Sequence, residues 1–506
     1  MANKIALTTN KLKSGDKDIS TNTSKKSSSL KKVLPLGLGI AVIAIISLGV
    51  IISHKNVGQV AGACTDILNP NCWSSEFKPQ LEQADQKTNV LLLGSDTRGN
   101  NANPGNTDTI ILGTIDYANK TTRMLSIPRD VSVAYTINNK TYHNSKINQI
   151  YEDAVAYSPD HKGKKIIAQT VSQITGEKIQ YVGIIRLQGV IEVIDQIGGI
   201  EVNISPTHVD TKIGIYQDVY PESELPDSLK ATCQTPDRYP GAGWCVFKFK
   251  PGIMHMDGQT ALIYARMREW TSDFDRESRQ HDVINAIKSK VLDDQAGILD
   301  RANKLIKLYS SLTNLVDIED LTTGQKINPD LQTILAALNA ISGINTDPAK
   351  IILDPSFAGG KVIVPVKYST NYIFTDLTFN QVQQKLKFIY DNLSLYKERA
   401  TIYCLNETGI PWKTNADNQV LALRNSDFWF LDIVAGKAAK TSNAVNVEII
   451  DYSGGKKQVT MAKLQELLAN YKVKITTADN NNNLQPSNHL EDIGINFYSA
   501  VSTTIK

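Results

Sequence analysis

Apolar runs that stop at glycine or at charged residues recur through the middle of this chain. Asn89–Gly94 (NVLLLG) has the pattern of a short buried strand. Asp108–Ile115 (DTIILGTI) is a second such run, Asp116–Asn119 a turn and Thr121–Ile127 (TTRMLSI) a third run, so the last two predict a hairpin. Helical spacing follows at Ser145–Tyr157 and Lys164–Ile174, then a strand at Tyr181–Ile185. A helix at Leu187–Ile197 ends at Gly198-Gly199, and Ile200–Ile204 is again strand-like. Residues 206–252, rich in Pro, Asp and Gly, show no clear period and read as functional or insertional. Helices are predicted for Asp257–Ala265, Asp275–Leu292, Gly297–Leu312, Pro329–Ile341 and Asn380–Leu393, with short strands near residues 350 and 363. Beyond about residue 399 the pattern changes: Ala400–Leu405, Val445–Ile450 and Val473–Thr477 are strand-like and Met461–Tyr471 is helical. Strands alternating with helices predict an α/β fold or a mixed sheet under helical cover, with a small separate α/β domain at residues 399–506.

The N-terminus is of another kind. Residues 1–32 carry eight Lys against Asp16 and Asp18, and their polar composition cannot offset the entropy of folding. Val33–Ser53 then runs 21 residues without a charge. As a helix it would be about 31 Å long, the thickness of a bilayer core. The basic flank predicts a single-pass signal anchor in the cell membrane, with residues 1–32 cytoplasmic and the rest of the chain extracellular. A cleaved signal peptide has a shorter apolar stretch. A lipoprotein signal would need Cys64 closer to the apolar run. Residues 54–86 read as an extracellular linker and 87–395 as the main domain.

Composition narrows the function classes. The chain has 506 residues, 41% hydrophobic and 21% charged, enough for a sizeable core and about three domains. Its net charge of +3 and its predicted side of the membrane argue against nucleic acid as a partner. Five Cys exclude a disulfide scaffold. Pairing Cys64 with Cys72 and Cys233 with Cys245 would close two local loops and leave Cys404 over; five unpaired thiols is the alternative. There is no GxxxxGK[ST] loop, no GxSxG elbow and no HExxH spacing among the seven His.

Charge collects at the ends of the apolar elements: Gly94-Ser-Asp-Thr-Arg98, Asn106-Thr-Asp-Thr109, Ile127-Pro-Arg-Asp130, Lys146-Ile-Asn148, Tyr264-Ala-Arg-Met-Arg268 and Asp273 to Gln280. Strand ends are where open α/β sheets place their sites. Arg98, Arg129, Arg266, Arg268, Arg276 and Arg279 offer forked donors for phosphate oxygens, and Lys146 adds a point charge. Asp96 and Asp108 are hard oxygen ligands suited to Mg²⁺ or Mn²⁺. On the helix from Asp275, Arg276, Arg279, Gln280 and Val283 share one face, with Ile284, Ile287 and Val291 beside them as a core stripe. Taken alone, these residues define a phosphate-binding site with a metal option.

In order, NVLLLGSDTR, NTDTIIL, MLSIPRD, KIN, DGQTALIYARMR and DFDRESRQ resemble the motifs of the LytR-CpsA-Psr family of cell-envelope proteins over residues 86–295. The stretch YVGIIRLQGVIEVIDQIGGIEVNI matches the family's middle segment, and Val445–Phe497 resembles the LytR C-terminal domain that often accompanies it. The resemblance implies a central mixed sheet flanked by helices. It also implies a phosphotransferase that moves a glycopolymer from a polyprenyl-diphosphate carrier to peptidoglycan or another envelope acceptor. Motif by motif, Asp96 and Asp108 fall where the family holds its metal. Arg129, Arg266, Arg268, Arg276 and Gln280 fall where it binds diphosphate, with Lys146 and Arg98 nearby. Either Asp130 or a metal-bound group would orient the acceptor. The chain departs from the family at Asn106-Thr107, where many members have Arg-Ser, and in the length of 206–252. Two rival functions use the same features: a hydrolase acting on the same diphosphate, and a non-catalytic envelope-binding or regulatory protein. The helix Leu187–Ile197 is apolar on more than one face, which suits a lipid groove or plain core packing.

Overall fold

A computed structural model of the chain describes residues 83–95, 105–158, 162–204, 216–222, 225–231, 233, 243–267, 273–291, 316–327, 345–355, 357, 362–367, 369, 371–406, 423, 432–435, 445–477 and 491–498. The apolar runs become a seven-stranded mixed sheet. Its centre is β1 (Lys87–Ser95), β2 (Thr107–Asp116) and β3 (Thr121–Ser126), joined antiparallel, with Leu91 facing Leu112 and Leu112 facing Leu125. β6 (Tyr181–Arg186) lies parallel to β1, followed outward by β11 (Val316–Asp320) and β12 (Gln325–Lys326). β13 (Asn345–Ile352) lies parallel to β3 at the other edge. β1 is almost wholly buried, which is why its sequence reads as a continuous apolar run rather than an alternating one.

Helices α1 (Ile150–Tyr157) and α2 (Gly163–Thr175) contribute Ile150, Ile167, Val171 and Ile174 to one core, together with Leu91, Leu93 and Leu112 of the sheet. α3 (Leu187–Gln196) follows β6 directly and buries Val190, Val193 and Ile194, leaving Leu187 and Ile191 half-exposed. α4 (Gly258–Arg266) starts where Asp257 accepts a hydrogen bond from the Thr260 amide at 2.7 Å. The next free amide, Gly258 N, donates to Asp195 of α3 at 2.7 Å. Gly258 has to be glycine, because a Cβ there would lie 2.3 Å from the Ile191 carbonyl oxygen. α5 (Asp273–Val291) is buried around most of its circumference, through Arg276, Arg279, Gln280, His281, Val283, Ile284, Ile287 and Val291.

Two sequence expectations change. Residues 145–146 are not helical: Ser145 and Lys146 end β5 (Lys140–Lys146), which pairs with β4 (Ser132–Ile137), and a 3₁₀ turn at Ile147–Gln149 leads into α1. The hairpin turns at Asn138-Asn139, both with positive φ, as a tight primed turn requires. Residues 206–252 are not irregular throughout. They contain the hairpin strands β8 (Tyr216–Pro221) and β9 (Trp244–Phe249) and a turn of helix at Asp227–Lys230. β9 alternates, burying Cys245, Phe247 and Phe249. Cys245 is bonded to Cys233, as the spacing suggested, with Cα atoms 5.2 Å apart. These elements fall in sequence between β7 (Ile200–Ile204) and β10 (Gly252–Met256), which pair antiparallel.

β14 (Ile363–Pro365) and β15 (Tyr372–Phe374) form a small hairpin, followed by α6 (Asn380–Asp391) and α7 (Leu393–Glu398). From Thr401 on, a second mixed sheet runs in the order β17 (Asp432–Ala435), β16 (Thr401–Asn406), β20 (Ile493–Phe497), β18 (Val447–Asp451), β19 (Val473–Thr477). With α8 (Gln458–Leu467) it encloses its own core of Ile402, Cys404, Ile449, Leu464 and Ile495. Glu398 at the end of α7 takes the first amides of α8, Val459 N at 2.9 Å and Thr460 N at 2.7 Å. Among the described residues no helix is long and apolar enough to cross a membrane. The Val33–Ser53 run, the Cys64–Cys72 pair and the helices expected at Gly297–Leu312 and Pro329–Ile341 lie outside the described residues.

Candidate functional site

The strand order brings four chain segments to one end of the sheet. β1 ends at Ser95, opposite Thr107 at the start of β2 and Arg186 at the end of β6, and β3 leaves the sheet beside them at Ser126. Gly94 faces Thr109 but Ser95 faces Thr107, so Asp108 is the extra residue of a β-bulge. Bulges re-aim side chains. Here Thr107 and Asp108, neighbours on β2, both reach Asn148, while Thr109 hydroxyl donates to Gln280 Oε1 of α5 at 3.4 Å.

Asp108 is held from two sides. Arg129 Nη1 donates to its Oδ2 at 2.6 Å and Asn148 Nδ2 to its Oδ1 at 2.9 Å. Arg129 stands in the turn after β3, where Val131 N donates to Pro128 O at 3.2 Å. Two backbone bonds fix that turn to the start of the 3₁₀ segment, Asn148 N to Arg129 O at 3.3 Å and Ile147 N to Val131 O at 2.9 Å. Asp130 accepts from Lys146 Nζ at 2.6 Å and lies 3.5 Å from Arg129 Nε. Carboxylates and cations therefore alternate from Asp108 through Arg129 and Asp130 to Lys146. The row is mostly buried, and Lys146 is its most exposed member.

Gln280 and Arg276 are buried on α5 one turn apart. Arg279, fully buried, is turned elsewhere: its Nε donates to Tyr264 O at 3.1 Å and its Nη2 to Met267 O, so it clamps the carbonyls at the end of α4. That clamp sets where Arg266, the last residue of α4, is presented. Asp96, Arg98 and Arg268 lie outside the described residues. Sequence reading passed over three residues that the structure ties into the site: Asn148, Thr107 and Thr109. The Lys146-Ile-Asn148 segment was visible at an element end, but nothing in it announced that the amide would hold Asp108.

Among the buried polar atoms in this region that make no hydrogen bond to any described residue are Arg129 Nε, Asn148 Oδ1, Gln280 Nε2 and Asn106 Oδ1. Buried donors and acceptors left unsatisfied are costly, and a ligand bound among these would satisfy them. A guanidinium donor and an amide donor suit anionic oxygens, and an amide oxygen beside a carboxylate suits a hard cation. Among the described residues there is no group of three or more His, Cys, Asp or Glu able to hold a metal.

Sequence comparison finds 27% identity over 260 residues with the polyisoprenyl-teichoic acid–peptidoglycan teichoic acid transferase TagV of Bacillus subtilis (strain 168), covering 51% of this chain and 57% of that protein. Biofilm regulatory protein A of Streptococcus mutans is 28% identical over 239 residues, 46% of this chain and 49% of that protein. The matches thus span about half the length of these two relatives. Among solved structures, the crystal structure of B. subtilis TagV aligns with a TM-score of 0.42 at 22% identity, over 61% of this chain and 99% of that one. Residues 56–342 match the sequence model of the LytR_cpsA_psr family, a span that contains every site residue named above, and the chain belongs to that family.

Proposed function

We propose that this protein is a membrane-anchored phosphotransferase that moves a glycopolymer from a polyprenyl-diphosphate carrier to peptidoglycan or another cell-envelope acceptor. The observation that carries the reading is the buried Asp108–Arg129–Asp130–Lys146 row beside Asn148 and Gln280, on a chain of this family. Relatives named as teichoic acid transferases support it.

Arg129, Gln280 and Arg276 engage the diphosphate oxygens, with Arg266, Arg268 and Arg98 completing the cationic surround. Lys146, braced by Asp130, faces the outer side of the same row. An acceptor hydroxyl attacks the sugar-linked phosphorus. The new P–O bond forms, the bond to the bridging oxygen breaks, the hydroxyl proton is lost to solvent, and polyprenyl phosphate leaves. In such transfers positioning and electrostatic stabilisation supply most of the catalysis. Asp108 together with Asp96, next in sequence after β1, and Asn148 Oδ1 would hold Mg²⁺ (or Mn²⁺), which typically binds one or two carboxylates and substrate phosphates. Bound there, the ion would add charge neutralisation. The lipid tail would run along Leu187 and Ile191, the half-exposed apolar residues of α3.

The test is turnover of a polyprenyl-diphosphate-linked glycopolymer by the detergent-solubilised full chain, with and without acceptor, followed by product analysis. Acceptor-linked polymer and polyprenyl monophosphate are expected. Free phosphorylated polymer, formed equally with and without acceptor, would instead make the protein a hydrolase. Stimulation by Mg²⁺ and its loss in Asp108→Ala test the metal. Protease added to intact protoplasts should remove all but a small anchor fragment; a protected C-terminal region would overturn the topology.

A further inference from the structure

α5 is fastened to the sheet by three consecutive residues, each bonded to a different strand. Gln280 accepts from Thr109 of β2, His281 Nε2 lies 2.8 Å from Ser126 Oγ of β3, and Asp282 accepts from Lys350 Nζ of β13 at 2.7 Å. β2, β3 and β13 are adjacent in the sheet. The outer two ties involve a site residue and a partly exposed ion pair; the middle one is wholly interior, with His281 fully buried. Its position is particular. Ser126 is the last residue of β3, three before Arg129, and His281 follows Gln280 directly. The bond therefore joins the two arms of the anion site, the Arg129 turn and the α5 face that carries Arg276 and Gln280.

A buried histidine with one hydrogen bond is a costly way to fill a core, since a leucine would pack the same volume without a polar group to satisfy. Burial, helped by the nearby charges of Lys350 and Arg399, pushes its pKa down to about 3, so the ring stays neutral and keeps this one bond at working pH. We propose that His281 is a positioning residue for diphosphate binding and transfer: through Ser126 it sets the spacing between Arg129 on one arm and Arg276 and Gln280 on the other. This rests on the transferase reading above and adds to it a residue that touches no substrate.

The experiment uses the full chain in detergent and four variants, with unfolding temperatures recorded for each. Inorganic pyrophosphate binding is measured by calorimetry, and kcat and KM with a polyprenyl-diphosphate-linked disaccharide. His281→Leu and Ser126→Ala should each lower kcat by about 10- to 100-fold, because small misplacements of catalytic groups cost that much, with a much smaller change in KM. The double variant should be no worse than the poorer single one, since both remove the same bond. His281→Gln, whose amide can present a donor or an acceptor near the Nε2 position, should recover most of the loss. Ser126→Ala removes a single oxygen and keeps the test decisive if His281→Leu fails to fold. Parent-like kcat in folded Ser126→Ala, additive losses in the double variant, or His281→Gln as poor as His281→Leu would each overturn the proposal while leaving the transferase reading intact. A parent protein that neither binds pyrophosphate nor turns over would overturn both.

Discussion

The β2–β3 hairpin carries a buried arginine–aspartate pair at each end, and the two are put to different use. At the turn end, Arg123 Nη1 donates to Asp116 Oδ2 at 2.9 Å, Glu177 lies 3.6 Å from its Nη2, and its guanidinium stacks 4.0 Å over the ring of Tyr390. Asp116 also takes the backbone and side-chain amides of Asn119. At the open end, Arg129 and Asp108 are closer still, 2.6 Å apart. Buried atoms without a hydrogen bond to any described residue occur at both ends, Arg123 Nε and Nη2 at the turn and Asn148 Oδ1, Gln280 Nε2 and Arg129 Nε at the open end, so it is the neighbouring groups that differ. One pair is 3% exposed on both sides; the other is 13% and 6% exposed. Chemically alike pairs thus divide by surroundings. An aromatic lid and a third charge surround one, whereas a bulge and a row of further charges surround the other, the end proposed above as the binding site.

The sharpest way to break this comparison is to remove each arginine. Arg123→Ala leaves Asp116 buried without its cation, while Glu177 keeps Lys87 at 3.1 Å, and should cost about 3–5 kcal/mol of stability, as breaking buried pairs does. Chemical denaturation would show it, and an unchanged midpoint would refute it. Arg129→Ala should act on rate instead. Losing one donor to developing phosphate charge costs about 2–4 kcal/mol of transition-state stabilisation, on the order of 30- to 1000-fold in transfer. Its unfolding temperature should fall less than that of Arg123→Ala, since Asp108 keeps the Asn148 amide and Asp130 keeps Lys146. Arg129→Lys should rescue poorly, because an ammonium cannot reproduce the planar fork. If Arg129→Ala unfolds the protein or transfers at the parent rate, the division between the two ends fails.

Acid separates the ends in a milder way. Burial alone would raise Asp116, but the hydrogen bonds from Asn119 and the charge of Arg123 outweigh it and hold the carboxyl below its ordinary range. Its contribution is therefore complete above the ordinary carboxylate pKa and is lost only as the pH falls further, through the lowered folded value. His281 behaves otherwise, with a folded pKa of about 3 against 6.5 unfolded. Stability is unaffected above pH 6.5. Below it the unfolded chain binds a proton that the folded protein refuses, a loss of about 1.4 kcal/mol per pH unit until the folded pKa is reached. His281→Gln should remove that slope between pH 6.5 and 4.5 in urea titrations, whereas an identical slope in parent and variant would contradict it. The smallest effect is expected at Lys387→Ala. This exposed residue of α6 pairs with Asp391 at 2.7 Å, and its loss should stay within about 0.5 kcal/mol without altering transfer.

Much of the main sheet was legible because burial leaves a periodic trace. The runs read as strands at Asn89–Gly94, Asp108–Ile115 and Tyr181–Ile185 are β1, β2 and β6, and Gly198-Gly199 does end a helix. The Trp244–Phe249 alternation was equally present, but the Pro-, Asp- and Gly-rich surroundings of 206–252 hid it. Ser145 and Lys146 looked helical because their exposed neighbours carry no period of their own. At the site, sequence pointed to Arg129, Asp130, Lys146 and Asp108, which stand at element ends. It had no means of separating Arg279, which clamps α4, from Arg276 on the same face.

What the sequence determined by itself was the kind of molecule: which segments are buried, where each apolar run stops, and that arginines and aspartates gather at those stops. These are local properties, set by side-chain polarity and spacing within a few residues. What only the tertiary structure decided was which charges meet. Asp108 and Asp116 lie on one strand with an arginine near each, and Ser126 and His281 are 155 positions apart. Strand order, a one-residue bulge and the docking of α5 assign their partners. A hydrogen bond depends on atoms coming within about 3 Å, and for residues far apart in the chain that separation is set by packing rather than by local sequence.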